Sequence, residues 1–179
     1  MATIVRATRE TRVEVAWART GAIRCESSEP FLDHMLTTLA TYANLGLTLE
    51  ARGDLKHHLI EDVAIAAGEA LLQIVPERAA RYGERTVPMD DALVHVVLDL
   101  GGRPYYRGPL PSALYDHALR SFAMQTRSTL HVRVLRGRDR HHVVEAAFKA
   151  LGLSLAQALT EGGAVFSTKG SVRWERPAC

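Results

Sequence analysis

Cysteine is scarce in this chain of 179 residues, and its scarcity excludes several kinds of protein. The two cysteines are Cys25 and Cys179, and the second of them is the last residue. Two cysteines so far apart form neither the disulfide framework of a small secreted domain nor a cysteine-type zinc site. We therefore expect the protein to work in a reducing compartment.

A strong charge of one sign and a long apolar run are also missing. The 22 lysine and arginine residues nearly balance the 20 aspartate and glutamate residues, which leaves a formal net charge of +2. This balance does not favour nucleic acid or a membrane as the main partner, and a small phosphorylated substrate would explain a local basic pocket. No apolar run approaches the roughly 18 residues of a membrane span, and the N-terminus lacks a signal pattern. The sequence predicts a soluble, cytoplasmic protein.

Apolar residues recur at two different periods along the chain. Alternation at period two predicts a strand or a pair of strands within Thr3–Trp17, and single strands at Leu45–Leu49, Ala92–Leu100 and Leu130–Val134. Helical spacing predicts helices at Phe31–Ala43, His57–Ile74, Tyr115–Gln125 and His141–Leu159. The polar stretch Glu77–Met89 contains a glycine and a proline, so we expect a connector there.

The second half of the chain repeats the order of the first. Leu32-Asp33-His34 has a counterpart in Tyr115-Asp116-His117, and His-His-x-x-Glu occurs at His57–Glu61 and again at His141–Glu145. This register predicts a tandem duplication of a strand–helix–strand–helix unit. We expect an α+β fold with helices packed on one face of each sheet, in a single domain 1–179 with repeats of about 1–85 and 86–179.

Six of the eight histidines fall in the duplicated positions, together with two glutamates. The set consists of His34, His57, His58, Glu61, His117, His141, His142 and Glu145. On a helix, residues i and i+4 share a face, so His57 with Glu61, and His141 with Glu145, can each chelate one metal ion. His58 and His142 point about 100° away, toward the metal of the other repeat or toward a neighbouring subunit. Imidazole with carboxylate suits Zn, Mn, Fe, Ni or Cu, and eight ligands suit two such ions.

Several short motifs, in this order along the chain, carry a resemblance to a known family. They are Phe31-Leu32-Asp33-His34-Met35-Leu36, His57-His58-Leu59-Ile60-Glu61-Asp62, Pro88-Met89-Asp90, Asp99-Leu100-Gly101-Gly102-Arg103-Pro104, His141-His142-Val143-Val144-Glu145-Ala146, Phe148-Lys149-Ala150 and Ser167-Thr168-Lys169-Gly170. Together they resemble the imidazoleglycerol-phosphate dehydratase family of histidine biosynthesis, over nearly the whole chain. The resemblance implies a duplicated α+β fold, two Mn²⁺ ions per active site, and a homo-oligomer of 24 subunits with active sites between subunits.

The resemblance also assigns roles to individual residues. One metal would be held by His34, His58, His141 and Glu145, and the other by His57, Glu61, His117 and His142, from more than one subunit. As metal ligands, Glu61 and Glu145 count among the catalytic residues, and Glu10 matches a glutamate beside the substrate that would act as an acid or base. The positions that match substrate-binding residues, mostly for the phosphate, are Arg81, Arg103, Lys149, Ser167, Thr168 and Lys169.

Several features depart from the pattern of this family, among them the stretch Leu151–Leu159, which lacks the arginine usual there. Lys56 stands where an aspartate usually precedes the first His-His, Leu59 stands where a threonine usually follows it, and the loop before Lys56 is about three residues shorter. Tyr42 replaces a histidine that normally approaches the substrate. Such changes leave the eight ligands in place, but they alter groups that orient ligating imidazoles.

The resemblance implies a hydro-lyase that eliminates water from D-erythro-imidazole-glycerol phosphate to give imidazole-acetol phosphate. Two other functions fit the residues. A divergent dimetal hydrolase of a phosphorylated metabolite would use metal-bound hydroxide. A non-catalytic paralogue would use its metals only to join subunits, but the cationic positions Arg81, Arg103, Lys149 and Lys169 argue against it.

Overall fold

A computed structural model describes residues 2–162 of the chain, and the predicted substrate residues Ser167, Thr168 and Lys169 lie outside them. The first half contains the strands β1 (Ala2–Ala7), β2 (Thr11–Ala18), β3 (Ile23–Glu26) and β4 (Gly46–Gly53), and the helices α1 (Pro30–Ala43) and α2 (Lys56–Leu72). The second half contains β5 (Tyr82–Met89), β6 (Ala92–Asp99), β7 (Tyr105–Arg107) and β8 (Thr129–Arg136), with α3 (Ala113–Gln125) and α4 (Arg140–Ala158).

The two halves form four-stranded sheets with the same topology. The strand orders are β1-β2-β4-β3 and β5-β6-β8-β7, and in each sheet the third strand of the half is the only parallel neighbour among the described strands. The predicted duplicated α+β fold is confirmed. Its unit is longer than the predicted strand–helix–strand–helix, since each half has a hairpin of two strands and a short third strand before its first helix, where the unit has one strand.

Each sheet buries one face under helices, as the strand alternation requires. In β2 the side chains of Val13, Val15 and Trp17 are buried, while Arg12 and Glu14 between them face out. The indole Nε1 of Trp17 donates to the carbonyl of Ala67 in α2, 2.9 Å away, which ties this sheet to its helix.

The helices pair across the two halves. α1 packs against α4 and α2 packs against α3, while α2 covers β1 and β2 and α4 covers β5 and β6. The helices therefore lie between the sheets, and their apolar faces join in one hydrophobic core. No helix among residues 2–162 has the length and apolar character needed to cross a membrane.

The stretch Glu77–Met89, which we predicted to be a connector, contains strand β5 instead. Gly83 is required by packing, because a Cβ there would lie 1.9 Å from the carbonyl oxygen of Ser154 in α4. Pro88 is tolerated because β5 is at the edge of its sheet. Both residues therefore serve a strand that passes close to a helix.

Candidate metal centre and active site

The start of α4 and the first turns of α1 bring three candidate ligands together. His34 Nε2 lies 3.2 Å from Glu145 Oε2, and His141 Nε2 lies 3.0 Å from the same oxygen. His34 comes from α1 and the other two residues from α4, so the cluster depends on the packing of helices from opposite halves. We call His34, His141 and Glu145 the α1–α4 triad.

The pairing of α2 with α3 forms a matching cluster. His57 Nε2 lies 3.6 Å from Glu61 Oε2, and His117 Nε2 lies 3.2 Å from Glu61 Oε1. His57 and Glu61 are one turn apart in α2, and His117 comes from α3. We call these three residues the α2–α3 triad.

Both triads have the chemistry and the convergence of a metal site. Their ligand atoms lie within 4.8 Å of one another, and two imidazoles with one carboxylate suit a divalent transition metal. His117 Nε2 is buried and makes no hydrogen bond among the described residues, although a Glu61 oxygen is 3.2 Å away. His117 Nε2 is therefore close to the Glu61 carboxylate without being hydrogen-bonded to it, an arrangement that suits two ligands of one metal ion. The residues of each triad therefore fit a bound cation.

Two of the eight predicted ligands, His58 and His142, lie in neither triad. His58 Nδ1 is 3.0 Å from Asp54 Oδ1 and 3.4 Å from Glu10 Oε2. His142 Nδ1 is 2.7 Å from Asp91 Oδ1, and its Nε2 is 3.4 Å from Asp90 Oδ2. Within one chain, each predicted four-ligand set is thus represented by three residues.

The aspartates beside these two histidines were not predicted as site residues. Asp54 has a sequence signal, because it precedes His58 by four positions at the start of a helix. Asp91 has none, because it lies in the turn between β5 and β6, and only the fold brings it to His142.

The hydrogen bonds between these pairs shift the pKa of each partner in the expected direction. The hydrogen bond with Asp54 raises the pKa of His58, and the one with Asp91 raises the pKa of His142. The bond from His142 and two backbone amides lower the pKa of Asp91 to about 2. Both carboxylates are therefore ionised acceptors at neutral pH.

Glu145 is the buried carboxylate of the α1–α4 triad. Burial alone raises its pKa, but hydrogen bonds from Lys149 and His34 outweigh that effect and leave the pKa below its ordinary value. Lys149 Nζ lies 2.9 Å from Glu145 Oε1. Lys149, a predicted phosphate-binding residue, is thus paired with a candidate metal ligand.

Arg81 lies far from the α1–α4 triad of its own chain. The backbone N–H of Arg81 donates to the carbonyl of Ala158, 2.9 Å away, at the C-terminal end of α4. The α1–α4 triad is at the other end of that helix, and the 17 residues from His141 to Ala158 span about 26 Å. Arg103 follows β6, in the same loop region, and its side chain is exposed. One chain does not bring Arg81 to its own α1–α4 triad.

Arg81 is already paired in this structure. Its guanidinium donates to both carboxylate oxygens of Asp99, at 2.9–3.2 Å. Arg81 has a positive φ of 70°, which is uncommon for a residue with a side chain. Asp99 comes just before the Gly101-Gly102-Arg103 turn, so the pair fixes that end of the second sheet.

Three of the departures from the family pattern each have a structural partner. Lys56 Nζ lies 2.5 Å from Glu29 Oε2, which links the start of α2 to the start of α1. Leu59 is buried in the core. The ring of Tyr42 lies 6.0 Å from Lys149 Nζ. None of these three side chains is part of a triad.

His95 and His131, the two histidines outside the duplicated positions, lie on the outer face of the second sheet. His95 Nδ1 is 2.8 Å from Thr86 Oγ1, and the His131 ring is 5.6 Å from the ring of Tyr105. Neither belongs to a cluster of potential metal ligands among the described residues.

Comparisons with known proteins agree with this architecture. Residues 28–155 match the family model described as imidazoleglycerol-phosphate dehydratase. The imidazoleglycerol-phosphate dehydratase of Pyrobaculum calidifontis is 45% identical, over 94% of this chain and 98% of the relative. That of Corynebacterium jeikeium is 38% identical, over 93% and 94% of the two chains.

Solved structures give the same result. The crystal structure of IGPD from Pyrococcus furiosus in complex with (S)-C348 superposes with a TM-score of 0.85 at 39% identity, covering 94% of this chain and all of that one. The imidazoleglycerol-phosphate dehydratase from Staphylococcus aureus gives a TM-score of 0.79 at 30% identity, over 90% and 100%. The chain belongs to the imidazoleglycerol-phosphate dehydratase family of hydro-lyases.

Proposed function

We propose that this chain dehydrates imidazole-glycerol phosphate to imidazole-acetol phosphate in histidine biosynthesis, at a dimetal site built on its two triads. The observation that carries the proposal is the pair of His₂Glu clusters, each assembled from both halves of a duplicated fold. The named relatives, which match nearly the full length, support the reaction.

The donor set supports two divalent cations for each active site. His34, His141 and Glu145 would hold one, and His57, Glu61 and His117 the other. Mn²⁺ is the ion that the family resemblance implies, and nitrogen with carboxylate ligands suits it. When bound, such a cation supplies Lewis-acid polarisation of the substrate imidazole.

Glu10 is the residue that we propose for proton transfer. It lies in the turn between β1 and β2, with an exposed carboxylate 3.4 Å from His58 Nδ1. In the dehydration, a C–H bond breaks on the second carbon from the imidazole ring, the hydroxyl on the first carbon leaves with a proton as water, and the resulting enol rearranges to the ketone. Glu10 would accept the first proton or donate the second.

A second copy of the chain is needed to complete this site. Each triad provides three ligands, while His58 and His142 are held elsewhere, and Arg81 lies about 26 Å along α4 from the α1–α4 triad. A ligand set and a phosphate site divided in this way support active sites between subunits. We therefore propose a homo-oligomer, for which the family resemblance implies 24 subunits, and the cytoplasmic location stays a prediction.

Turnover of imidazole-glycerol phosphate tests the proposed function. We expect metal-stripped protein to be inactive, Mn²⁺ to restore formation of the acetol phosphate, and His141→Ala to abolish it. His95→Ala is the matched control, because it removes a histidine outside both triads. Release of inorganic phosphate would show hydrolysis instead, and metal uptake with no turnover would indicate the non-catalytic paralogue.

A further inference from the structure

We infer that Asp54 and Asp91 are positioning residues, which hold the Nδ1 of His58 and His142 so that Nε2 of each ring is the metal-binding atom. The inference rests on the proposed function and adds two residues to it. Its starting observation is that the two candidate ligands outside the triads each have an aspartate oxygen at hydrogen-bond distance from Nδ1, at 3.0 Å and 2.7 Å.

The Asp91 carboxylate is fixed by the backbone as well as by the ring. Its Oδ1 bonds His142, while its Oδ2 accepts from the backbone N–H of Arg138 at 2.6 Å and of Asp139 at 3.2 Å. One side chain thus connects the β5–β6 turn, the start of α4 and the imidazole. A ring held by an anchored acceptor loses little further freedom when it binds a metal.

Asp54 holds its histidine in the same way in the first half, but it is fixed by different backbone groups. Its Oδ1 accepts from the backbone N–H of Leu55 at 2.6 Å as well as from His58, and its own N–H donates to the carbonyl of Glu10 at 3.0 Å. This carboxylate lies two residues before Lys56, the position at which the family pattern has an aspartate.

The hydrogen bond to Nδ1 decides which nitrogen can bind a metal. A neutral imidazole that donates from Nδ1 carries its lone pair on Nε2, and such carboxylate–histidine pairs orient the ring and increase its basicity. His58 Nε2 has no hydrogen-bond partner among residues 2–162, and His142 Nε2 has only Asp90 Oδ2, at 3.4 Å. Both nitrogens are thus available as the fourth ligand that each triad lacks.

Removing the carboxylate beside His142 tests the inference in the full-length chain. We expect Asp91→Ala to weaken Mn²⁺ binding by about tenfold or more, the usual cost of losing such a partner. Asp91→Asn keeps an acceptor for Nδ1 and should retain more of the affinity. Asp139→Ala is the matched control, because Asp139 caps the same helix through the backbone N–H of His141 and makes no hydrogen bond to the His142 ring.

A second measurement separates positioning from simple loss of structure. The ¹⁵N imidazole shifts of His142 in metal-free protein, assigned with His142→Gln, should show a protonated Nδ1 in the wild type and a shift toward protonated Nε2 in Asp91→Ala. Equal loss of affinity in Asp91→Ala and Asp139→Ala, or an unchanged tautomer, would overturn the inference. Wild-type protein that binds no Mn²⁺ would instead overturn the proposed function.

Discussion

The two triads have the same composition but different surroundings for their carboxylates. The Glu145 side chain is 9% exposed and pairs with Lys149 at 2.9 Å. Glu61 has a side chain that is 35% exposed, and no lysine or arginine of residues 2–162 forms an ion pair with it. With neutral imidazoles, the α1–α4 triad and its lysine carry no net charge, while the α2–α3 triad carries one negative charge.

This difference shows how a duplicated site can diverge without losing its ligands. A buried carboxylate needs a partner for its charge, and in α4 the lysine one turn later provides it. A half-exposed carboxylate keeps enough water to do without one. A metal that enters the α1–α4 triad must therefore compete with a cation that is already in place, whereas the α2–α3 triad offers an uncompensated charge.

Loss of either carboxylate ligand should have the largest effect, and it tests whether the triads are equivalent in catalysis. We expect Glu61→Gln and Glu145→Gln each to lower kcat/KM by at least about a hundredfold, because a metal contributes several kcal/mol to stabilising the reacting groups. Steady-state assays at saturating Mn²⁺ would measure this. If only one of the two variants lost activity, the triads would not serve one dimetal reaction.

The carboxylates of the two triads should differ in how much they stabilise the metal-free protein. We expect Glu145→Ala to lower the free energy of unfolding by about 2 kcal/mol, because it leaves the largely buried Lys149 unpaired, and Glu61→Ala to change it by less than about 1 kcal/mol. Chemical denaturation of metal-free protein measures both. In a Lys149→Met background the cost of Glu145→Ala should shrink, and equal costs for the two glutamates would contradict the comparison.

Removing Lys149 should make the metal affinities of the two triads more similar. We expect Lys149→Met to raise the Mn²⁺ affinity of the α1–α4 triad several-fold, because the repulsion between the ammonium and the incoming ion disappears. Competition titration with a chelator would measure this change in Mn²⁺ affinity. Lys56→Met is the control, since Lys56 pairs with Glu29 rather than with a triad residue. An increase in the substrate KM would in addition support the predicted phosphate contact of Lys149.

The smallest expected effect concerns the short third strands, where the first half has Cys25 and the second has Tyr106, both half-buried. Burial raises the pKa of the Cys25 thiol to about 11, and it also raises the pKa of Tyr106 above its ordinary value. Because the folded pKa of the thiol exceeds the unfolded one, its contribution to stability is complete below pH about 9 and is lost as the pH rises toward 11.

Thiol alkylation in a Cys179→Ser background would measure the ionisation of Cys25. The rate should still be rising above pH 10, whereas a free thiol with a pKa of about 8.5 would have reached its plateau. A plateau near pH 9 would show that burial does not control this thiol.

The sequence predicted the parts of the site that depend on local periodicity. His141 with Glu145 and His57 with Glu61 are one turn apart, and both pairs lie together as expected. The third residue of each triad, His34 or His117, is brought to its pair by helix packing between the two halves. A periodic pattern does not specify this packing. Likewise, β5 was not recognised because Gly83 indicates a turn until the nearby α4 backbone is known.

The length of α4 predicts that two inactive alleles of this protein can complement each other. The helix keeps Arg81 about 26 Å from the α1–α4 triad, so under the proposed function each chain contributes that triad to one active site and Arg81 to another. Consider two inactive alleles, one with His141→Ala and one with Arg81→Ala. In a mixed assembly, some active sites would then contain the intact triad of one variant and the intact Arg81 of the other. A cell that carries both lesions on separate copies should therefore regain growth without histidine, although neither allele alone supports it.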